Sequence, residues 1–219
     1  MTSTSLFRLA ALAAVVAGAL FAGIQFIHPD DDVATVTTGA WALVAALTFV
    51  MALAGLVGVT GLYLRQVERS GLLGLIGYAL LALFFLLTCA FTFVETLILP
   101  VLADEAPEFV GNVLGLFNGD GTDGSLGALE LLGPTSGVLY LAGGVLFGVA
   151  AFRAGVTARW AGLLLAVGAV LPVLTGFLPH AVARFAALPV GMALVGLGLS
   201  LWTAASTRQS RTPPVAATS

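Results

Sequence analysis

Two histidines and two carboxylates are the side chains best suited to chemistry in an otherwise apolar chain. His28, Glu95, Glu130 and His180 each fall near the end of a long apolar run, at similar predicted depth. Imidazole and carboxylate groups are ligands that zinc and iron take in proteins. The spacing matches no metal motif, because the chain has no H-E-x-x-H, no Glu-x-x-His and no histidine pair on one predicted helix. A metal-dependent membrane enzyme is therefore an alternative, and interfacial histidines beside proline turns are the simpler interpretation.

A larger set of polar side chains predicts a ligand-binding pocket. The set consists of Glu95, Thr92, Thr135, Ser136, His180 and Arg184. All lie toward the same end of their predicted helices, and a polar group buried in a membrane costs a few kcal/mol unless it is paired or hydrated. We therefore expect a pocket that binds or passes a small ligand. The alternative for Glu95 is a side chain that reaches the interface or pairs with Arg184.

The chain lacks the residues of common catalytic centres. It contains no lysine, no Gly-x-Ser-x-Gly sequence and no glycine-rich phosphate loop. The single cysteine, Cys89, lies inside an apolar run and excludes a cysteine-based metal site. The two histidines lie at helix ends, which argues against a haem. The sequence predicts no cofactor and favours a role other than catalysis.

The elements that must position these residues are long apolar helices. Hydrophobic residues make up 59% of the chain and charged residues only 9%, which is typical of a membrane protein. We predict an all-α bundle of six transmembrane helices in one domain, residues 1–204, with a disordered cytoplasmic tail, 205–219. The predicted spans are approximately 8–28, 39–64, 71–102, 134–153, 160–178 and 184–203.

Charge patterning predicts the orientation of this bundle. Of the eight arginines, all but Arg184 fall on one side of the six-span arrangement, and eight of the eleven acids fall in the loops on the other side. By the positive-inside rule, both termini are expected in the cytoplasm. The predicted location is the plasma membrane. The absence of a basic patch also excludes nucleic acid as an expected partner.

The longest connection, 103–132, is expected on the outer side and contains a second kind of helix. Pro107, Phe109, Val113, Leu116 and Phe117 have helical spacing, which predicts a short amphipathic helix on the outer leaflet. The following segment, 119–124, resembles a calcium loop, but its glycine falls at the wrong offset for an EF-hand. We interpret it as a flexible turn.

Small residues mark the faces on which the helices are expected to touch. Such faces occur at 54–58, at 71–77 and at 144–148. Helices in lipid associate by close packing, so these faces predict contacts within the bundle. They are equally compatible with a homo-oligomer or with a membrane protein partner, and a structural or partner-binding subunit is the second functional hypothesis. The remaining expected partner is membrane lipid.

Two segments carry a resemblance to a known kind of protein. They are Leu64-Arg-Gln followed by Ser-Gly-Leu-Leu-Gly-Leu-Ile-Gly-Tyr78, and Ala158-Arg-Trp-Ala-Gly-Leu-Leu-Leu-Ala-Val-Gly168. They resemble segments of small uncharacterised bacterial multi-span membrane proteins. The resemblance implies a six-helix bundle and no particular activity.

Overall fold

The structure, a computed structural model, describes residues 3–118, 126–175 and 180–209. Within these ranges the protein is all-helical and has no strand. Four helical segments are long and apolar enough to cross a membrane: Thr4–Phe26, Gly39–Leu102, Gly127–Ala154 and Arg184–Thr207. A shorter apolar helical segment covers Arg159–Thr175. The predicted helical class is therefore confirmed.

The described ranges contain nine α-helices. They are α1 Ser3–Gly23, α2 Gly39–Leu97, α3 Leu99–Leu102, α4 Pro107–Asn118, α5 Leu132–Ala154, α6 Arg159–Gly168, α7 Leu171–Thr175, α8 His180–Ala183 and α9 Leu188–Gln209. Three 3-10 turns extend them: Ile24–Phe26 follows α1, Gly127–Leu131 precedes α5, and Arg184–Ala187 precedes α9.

Helix α2 folds back on itself at one glycine. Gly71 has φ 55° and ψ −155°, whereas the residues on both sides of it are helical. This backbone conformation is almost restricted to glycine, because a Cβ would clash with the adjacent peptide. Gly71 divides α2 into a first arm, residues 39–70, and a second arm, residues 72–97. The predicted link at 65–70 is helical, so the reversal occurs later than expected and without a loop.

The two arms pack antiparallel. The rings of Tyr63 and Tyr78 stack with centroids 4.6 Å apart. The hydroxyls of Thr60 and Tyr78 lie 3.2 Å apart. Far from the turn, the Trp41 indole N–H donates to the Glu95 carbonyl at 3.0 Å. These contacts run the full length of the arms, so α2 is a helical hairpin.

The long helices form a closed ring. The first arm of α2 packs on α1, α1 packs on α9, α9 packs on α6, α6 packs on α5, and α5 packs on the second arm. Neighbouring helices in this ring approach each other closely at small residues. A Cβ on Gly58 would lie 2.7 Å from the backbone of Ala14, and a Cβ on Gly148 would lie 2.6 Å from the backbone of Ala166. The predicted small-residue faces are therefore helix contacts within the bundle, except at Gly71, where a Cβ would meet no atom within 4 Å.

The two ends of the bundle differ in charge. One end, the arginine end, carries Arg65, Arg69, Arg153 and Arg159 around the α2 turn and the α5–α6 connection. The opposite end, the acidic end, carries Asp30, Asp31, Asp32, Asp104, Glu105 and Glu108. The division agrees with the charge pattern of the sequence.

The predicted helix at 107–118 is present as α4, but its buried face differs from the prediction. Phe109 is exposed, whereas Val110, Val113 and Leu114 are buried. These three residues join a second apolar cluster at the acidic end, together with Val36, Trp41, Leu99 and Ala103. Helix α4 therefore packs over the end of the bundle, because the side chains at 110, 113 and 114 share one face.

Three helix boundaries differ from those predicted. Helix α5 begins at Leu132, because Pro134 lies in its first turn, where a missing N–H breaks no helical hydrogen bond. The interruption between α6 and α7 falls at 169–170, ahead of Pro172, inside the span predicted at 160–178. Helix α9 continues to Gln209, so residues 205–209 are helical and not a disordered tail. The calcium-like segment 119–124, residues 176–179 at the predicted end of the fifth span, and the tail residues 210–219 lie outside the described residues.

Candidate ligand-binding cavity

The acidic end of the bundle encloses a cavity of about 670 Å³. Its walls come from α1, both arms of α2, α4, α5, α7 and the segment 183–187. The elements therefore converge on one space, although they are far apart in the sequence. Its volume lies within the range of about 300–1,000 Å³ that is typical of small-molecule sites.

Four of the six residues predicted for a ligand pocket line this cavity. They are Glu95, Thr92, Ser136 and Arg184. Thr135 is exposed and is not part of the lining. Adjacent residues of a helix point in different directions, so Thr135 faces away from the cavity when Ser136 faces into it. The backbone of His180 begins α8, and its side chain lies outside the described part of the structure.

A row of contacts crosses the mouth of the cavity. The Arg184 guanidinium donates from Nη1 to the carbonyl oxygen of His28 at 3.1 Å. The His28 ring meets the Trp41 ring edge-on, with centroids 6.3 Å apart. Trp41 in turn donates to the Glu95 carbonyl at 3.0 Å. Arg184 and Glu95 are therefore held in one layer, with His28 and Trp41 between their backbones.

Arg184 and Glu95 do not form an ion pair. Among the described residues, the structure contains no salt bridge to either side chain. The Nε atom of Arg184 is buried and has no hydrogen-bond partner, and its guanidinium lies 5.6 Å from the centroid of the Phe185 ring. The alternative interpretation of Glu95, a pair with Arg184, is therefore wrong for this structure.

The other charged groups at the mouth are acidic. Asp31 and Glu95 both line the cavity. An oxygen of Asp31 is also 3.9 Å from Nδ1 of His28. The same His28 nitrogen lies 2.8 Å from the Pro29 carbonyl, to which it can donate. Asp31, Glu95 and Arg184 therefore all line the same cavity, and Asp31 contacts His28.

The deeper part of the cavity is aromatic. The rings of Phe21 and Tyr140 are parallel, with centroids 6.1 Å apart, and Phe84 meets Tyr140 at 5.3 Å. The Tyr140 hydroxyl is buried and has no partner. Thr92 lies between this floor and the mouth with 1% of its surface exposed, and its hydroxyl interacts with the Glu95 carboxyl group. Buried polar groups normally have partners, so the Tyr140 hydroxyl marks a position that a ligand or water can satisfy.

The predicted metal ligands are not brought together. His28 and Glu95 line the cavity, but Glu130 is exposed outside it and accepts the Leu126 backbone N–H at 2.9 Å. Within the described ranges, no group of three or more His, Cys, Asp or Glu side chains has an arrangement that could hold a metal ion. The metal-dependent enzyme hypothesis gains no support from this geometry.

Sequence reasoning missed several polar residues. Tyr140 and Asp31 line the cavity but were not expected there, although a single tyrosine inside the apolar run of α5 was a detectable signal. At the arginine end, Gln66, Ser70 and Thr157 are buried without hydrogen-bond partners. None of these three residues was among the predicted site residues, because they lie in or next to short connections, which suggest solvent exposure.

Comparisons with known proteins identify no relative. No family model matches the chain, and neither a curated protein nor a solved structure matches it. The resemblance to bacterial multi-span proteins therefore stays a prediction. The fold itself defines a class, an apolar helical bundle with membrane-spanning helix lengths and a ligand-sized cavity at its acidic end.

Proposed function

We propose that this protein is a multi-pass protein of the plasma membrane that binds or passes a small ligand through the cavity at its acidic end. In this proposal the helices cross the membrane six times and both termini lie in the cytoplasm. The cavity then opens to the extracytoplasmic side. A non-enzymatic binding role is proposed in preference to catalysis.

The hairpin shape of α2 supports six crossings. Each of its arms exceeds the roughly 20 residues that cross a hydrocarbon core of about 30 Å. With α1, α5 and α9, and with the shorter segment Arg159–Thr175, the arms give six segments. Large apolar side chains such as Leu72 and Val101, each 70% exposed, support lipid as the surrounding medium.

The orientation is testable by cysteine labelling. Because Cys89 is the single cysteine and is buried, a Cys89→Ala background is suitable. A membrane-impermeant maleimide added to intact cells should label Asp104→Cys, whereas Arg153→Cys should react only after lysis. Labelling of Arg153→Cys in intact cells would reverse the proposed orientation.

The observation that carries ligand binding is the unpaired cation in the cavity. Arg184 lines a 670 Å³ space without a carboxylate partner in the described residues, and its Nε is buried and unbonded. Arg184 is half-buried, and a charged group with a buried, unbonded donor and no counter-charge is costly in a low-dielectric site. Such a cost is consistent with a site that is completed by a ligand.

A pair of neighbouring substitutions tests this proposal. Ser136→Trp places a large side chain on the cavity wall, and Thr135→Trp places the same side chain on the exposed face of the same helix. Purified wild-type protein and both variants are screened for thermal stabilisation by a panel of amino acids, amines, carboxylates and sugars. Wild type and Thr135→Trp should be stabilised by the same compounds, and Ser136→Trp should not. If no compound stabilises wild type, or if Ser136→Trp responds like wild type, the proposal fails.

A further inference from the structure

We infer that the ligand of this cavity is an organic anion, a small molecule that carries one carboxylate or phosphate group on an apolar body. The inference rests on the proposed function and adds the ligand's chemical class. It follows from the unbonded edge of the Arg184 guanidinium and from the aromatic floor of the same cavity.

The Arg184 guanidinium presents one open edge to a ligand. Its Nη1 atom donates to the His28 carbonyl at 3.1 Å, whereas its Nε atom is buried and has no hydrogen-bond partner. In the planar guanidinium group, Nε and Nη2 share an edge, and their N–H groups point the same way at a spacing that matches two oxygens of a carboxylate or phosphate. An anion on this edge gives the buried Nε its missing acceptor and leaves the bond to His28 intact.

The position of the guanidinium is set by contacts within the protein. The hydrogen bond to the His28 carbonyl joins the start of the 3-10 turn Arg184–Ala187 to the segment that follows α1. The rings of Phe26 and Phe185 meet beside it, with centroids 5.3 Å apart, and the guanidinium lies 5.6 Å from the Phe185 centroid. A donor that is already oriented loses little side-chain freedom when the ligand binds, so more of the interaction contributes to affinity.

The two acids of the cavity contact other groups. An oxygen of Asp31 lies 3.9 Å from Nδ1 of His28, and the Glu95 carboxyl group interacts with the Thr92 hydroxyl. Among the described residues, neither acid forms an ion pair with Arg184. We therefore assign the missing acceptor to the ligand. One arginine and two nearby acids favour a ligand with a single anionic group, because further negative charge would be repelled.

The floor of the cavity favours an apolar body on this anion. Phe21, Phe84 and Tyr140 form the floor, and Phe84 lies three helical turns from Glu95 on the second arm, about 16 Å at a rise of 1.5 Å per residue. A ligand with its anionic group at the mouth therefore extends into an aromatic space. Ring contacts and the burial of apolar surface favour binding there.

Two sources supply this chemistry. A free carboxylic acid with an aromatic or aliphatic body carries a carboxylate, and phosphatidate carries a phosphate on acyl chains. The shared chemistry is an anionic group on an apolar body. A binding experiment with both kinds of probe separates the two sources.

Matched probes test the requirement for the anionic group and for the apolar body. Indole-3-propionate carries both, indole-3-propionamide replaces the carboxylate by a neutral amide of similar shape, and propionate lacks the ring. Short-chain phosphatidate and the corresponding neutral diacylglycerol form the lipid pair. Binding to the full-length protein in detergent is measured by calorimetry. We expect indole-3-propionate, phosphatidate or both to bind at least about tenfold more tightly than the neutral counterpart, and propionate to bind weakly.

Single substitutions assign the anionic group to Arg184. Arg184→Gln should weaken the anionic probe at least about tenfold and leave its neutral counterpart almost unchanged. Arg184→Lys should be intermediate, because it keeps the charge but lacks the paired N–H groups. Glu95→Gln changes another polar group of the cavity and should not weaken the anionic probe. Arg153→Gln, an exposed arginine outside the cavity, is the matched control and should alter no affinity.

Thermal unfolding in the same detergent shows that each variant is folded. Tight binding of indole-3-propionate that requires Arg184 supports a free carboxylate, and tight binding of phosphatidate with the same dependence supports the lipid source. A neutral counterpart that binds as tightly as the anion, or a folded Arg184→Gln variant that binds the anion like wild type, overturns the inference. A Glu95→Gln variant that loses the anion as Arg184→Gln does would also overturn it. In each of these cases, a screened compound whose binding Ser136→Trp blocks would still support the proposed ligand-binding cavity.

Discussion

Trp41 and Glu95 join the far ends of the α2 hairpin through a 3.0 Å hydrogen bond from the indole N–H to the backbone carbonyl. Trp41 is buried at 3% exposure and belongs both to the second apolar cluster and to the cavity wall. The same residue therefore closes the hairpin, supports α4 and positions Glu95.

Trp41→Phe should destabilise the protein and weaken ligand binding. It removes the hydrogen bond to Glu95 but keeps an aromatic ring, so the expected loss is about 1 kcal/mol of unfolding free energy, with a larger loss if the carbonyl stays unsatisfied. The measurement is a denaturant titration in detergent micelles. Trp202→Phe is the control, because Trp202 is half exposed at the other end of the bundle. Equal effects of both substitutions would contradict the role given to Trp41.

Gly77→Ala should separate α2 from α5. A Cβ on Gly77 would clash with the backbone nitrogen of Phe147, and neither backbone can move without shifting a helix. Overpacking of this kind costs about 1–3 kcal/mol. Gly137→Ala is the matched control, because a Cβ there meets nothing within 4 Å.

The control should be neutral or stabilising, since alanine has a higher helix propensity than glycine. Thermal unfolding of both variants in the same detergent provides the comparison. A Gly77→Ala protein as stable as Gly137→Ala would show that the two helices are not in close contact.

Gly71→Ala should be more damaging than Gly155→Ala. Both glycines have positive φ, at 55° and 59°, but only Gly71 combines it with ψ near −155°, a region that costs other residues about 1–3 kcal/mol. Gly155 has the left-handed helical conformation, which Asn tolerates, so Gly155→Asn should cost less than Gly71→Asn. The readout is the melting temperature of all four variants. The reverse order would indicate a different conformation at the α2 turn.

Gln66→Met should leave stability unchanged or increase it. Gln66 is 2% exposed, and neither its amide nitrogen nor its amide oxygen has a hydrogen-bond partner. Methionine has a similar shape without the polar atoms, and removal of a buried unsatisfied group recovers about 1–3 kcal/mol. Val67→Met on the exposed face is the control. A strong loss of stability in Gln66→Met alone would indicate that the amide has a partner such as buried water.

The fold was predictable where it depends on local sequence. Composition and periodicity predicted the helices, the amphipathic segment at 107–118 and the close-packed glycine faces. Each of these features depends on residues within one or two helical turns of each other. The turn at Gly71 was harder to place. Its position depends on one residue's backbone conformation, and Arg65 to Ser70 looked equally suited to a connection.

The candidate site was predictable only in part. Glu95, Thr92, Ser136 and Arg184 were identified as unusual polar residues near the same end of the bundle, and all four line the cavity. Thr135 was grouped with Ser136 because both follow the same proline, but adjacent helical positions point about 100° apart. Tyr140 was missed because one hydroxyl inside an apolar run resembles an ordinary core residue.

The sequence by itself determined an apolar all-helical chain with opposite charges at alternate connections, because hydropathy and charge are properties of the residues wherever they lie. Only the tertiary structure decided that Arg184 and Glu95 line one cavity without pairing, and that the Tyr140 hydroxyl lies in its wall without a partner. The reason is physical. Helical periodicity determines which side chains share a face, whereas the order in which helices pack determines which faces meet.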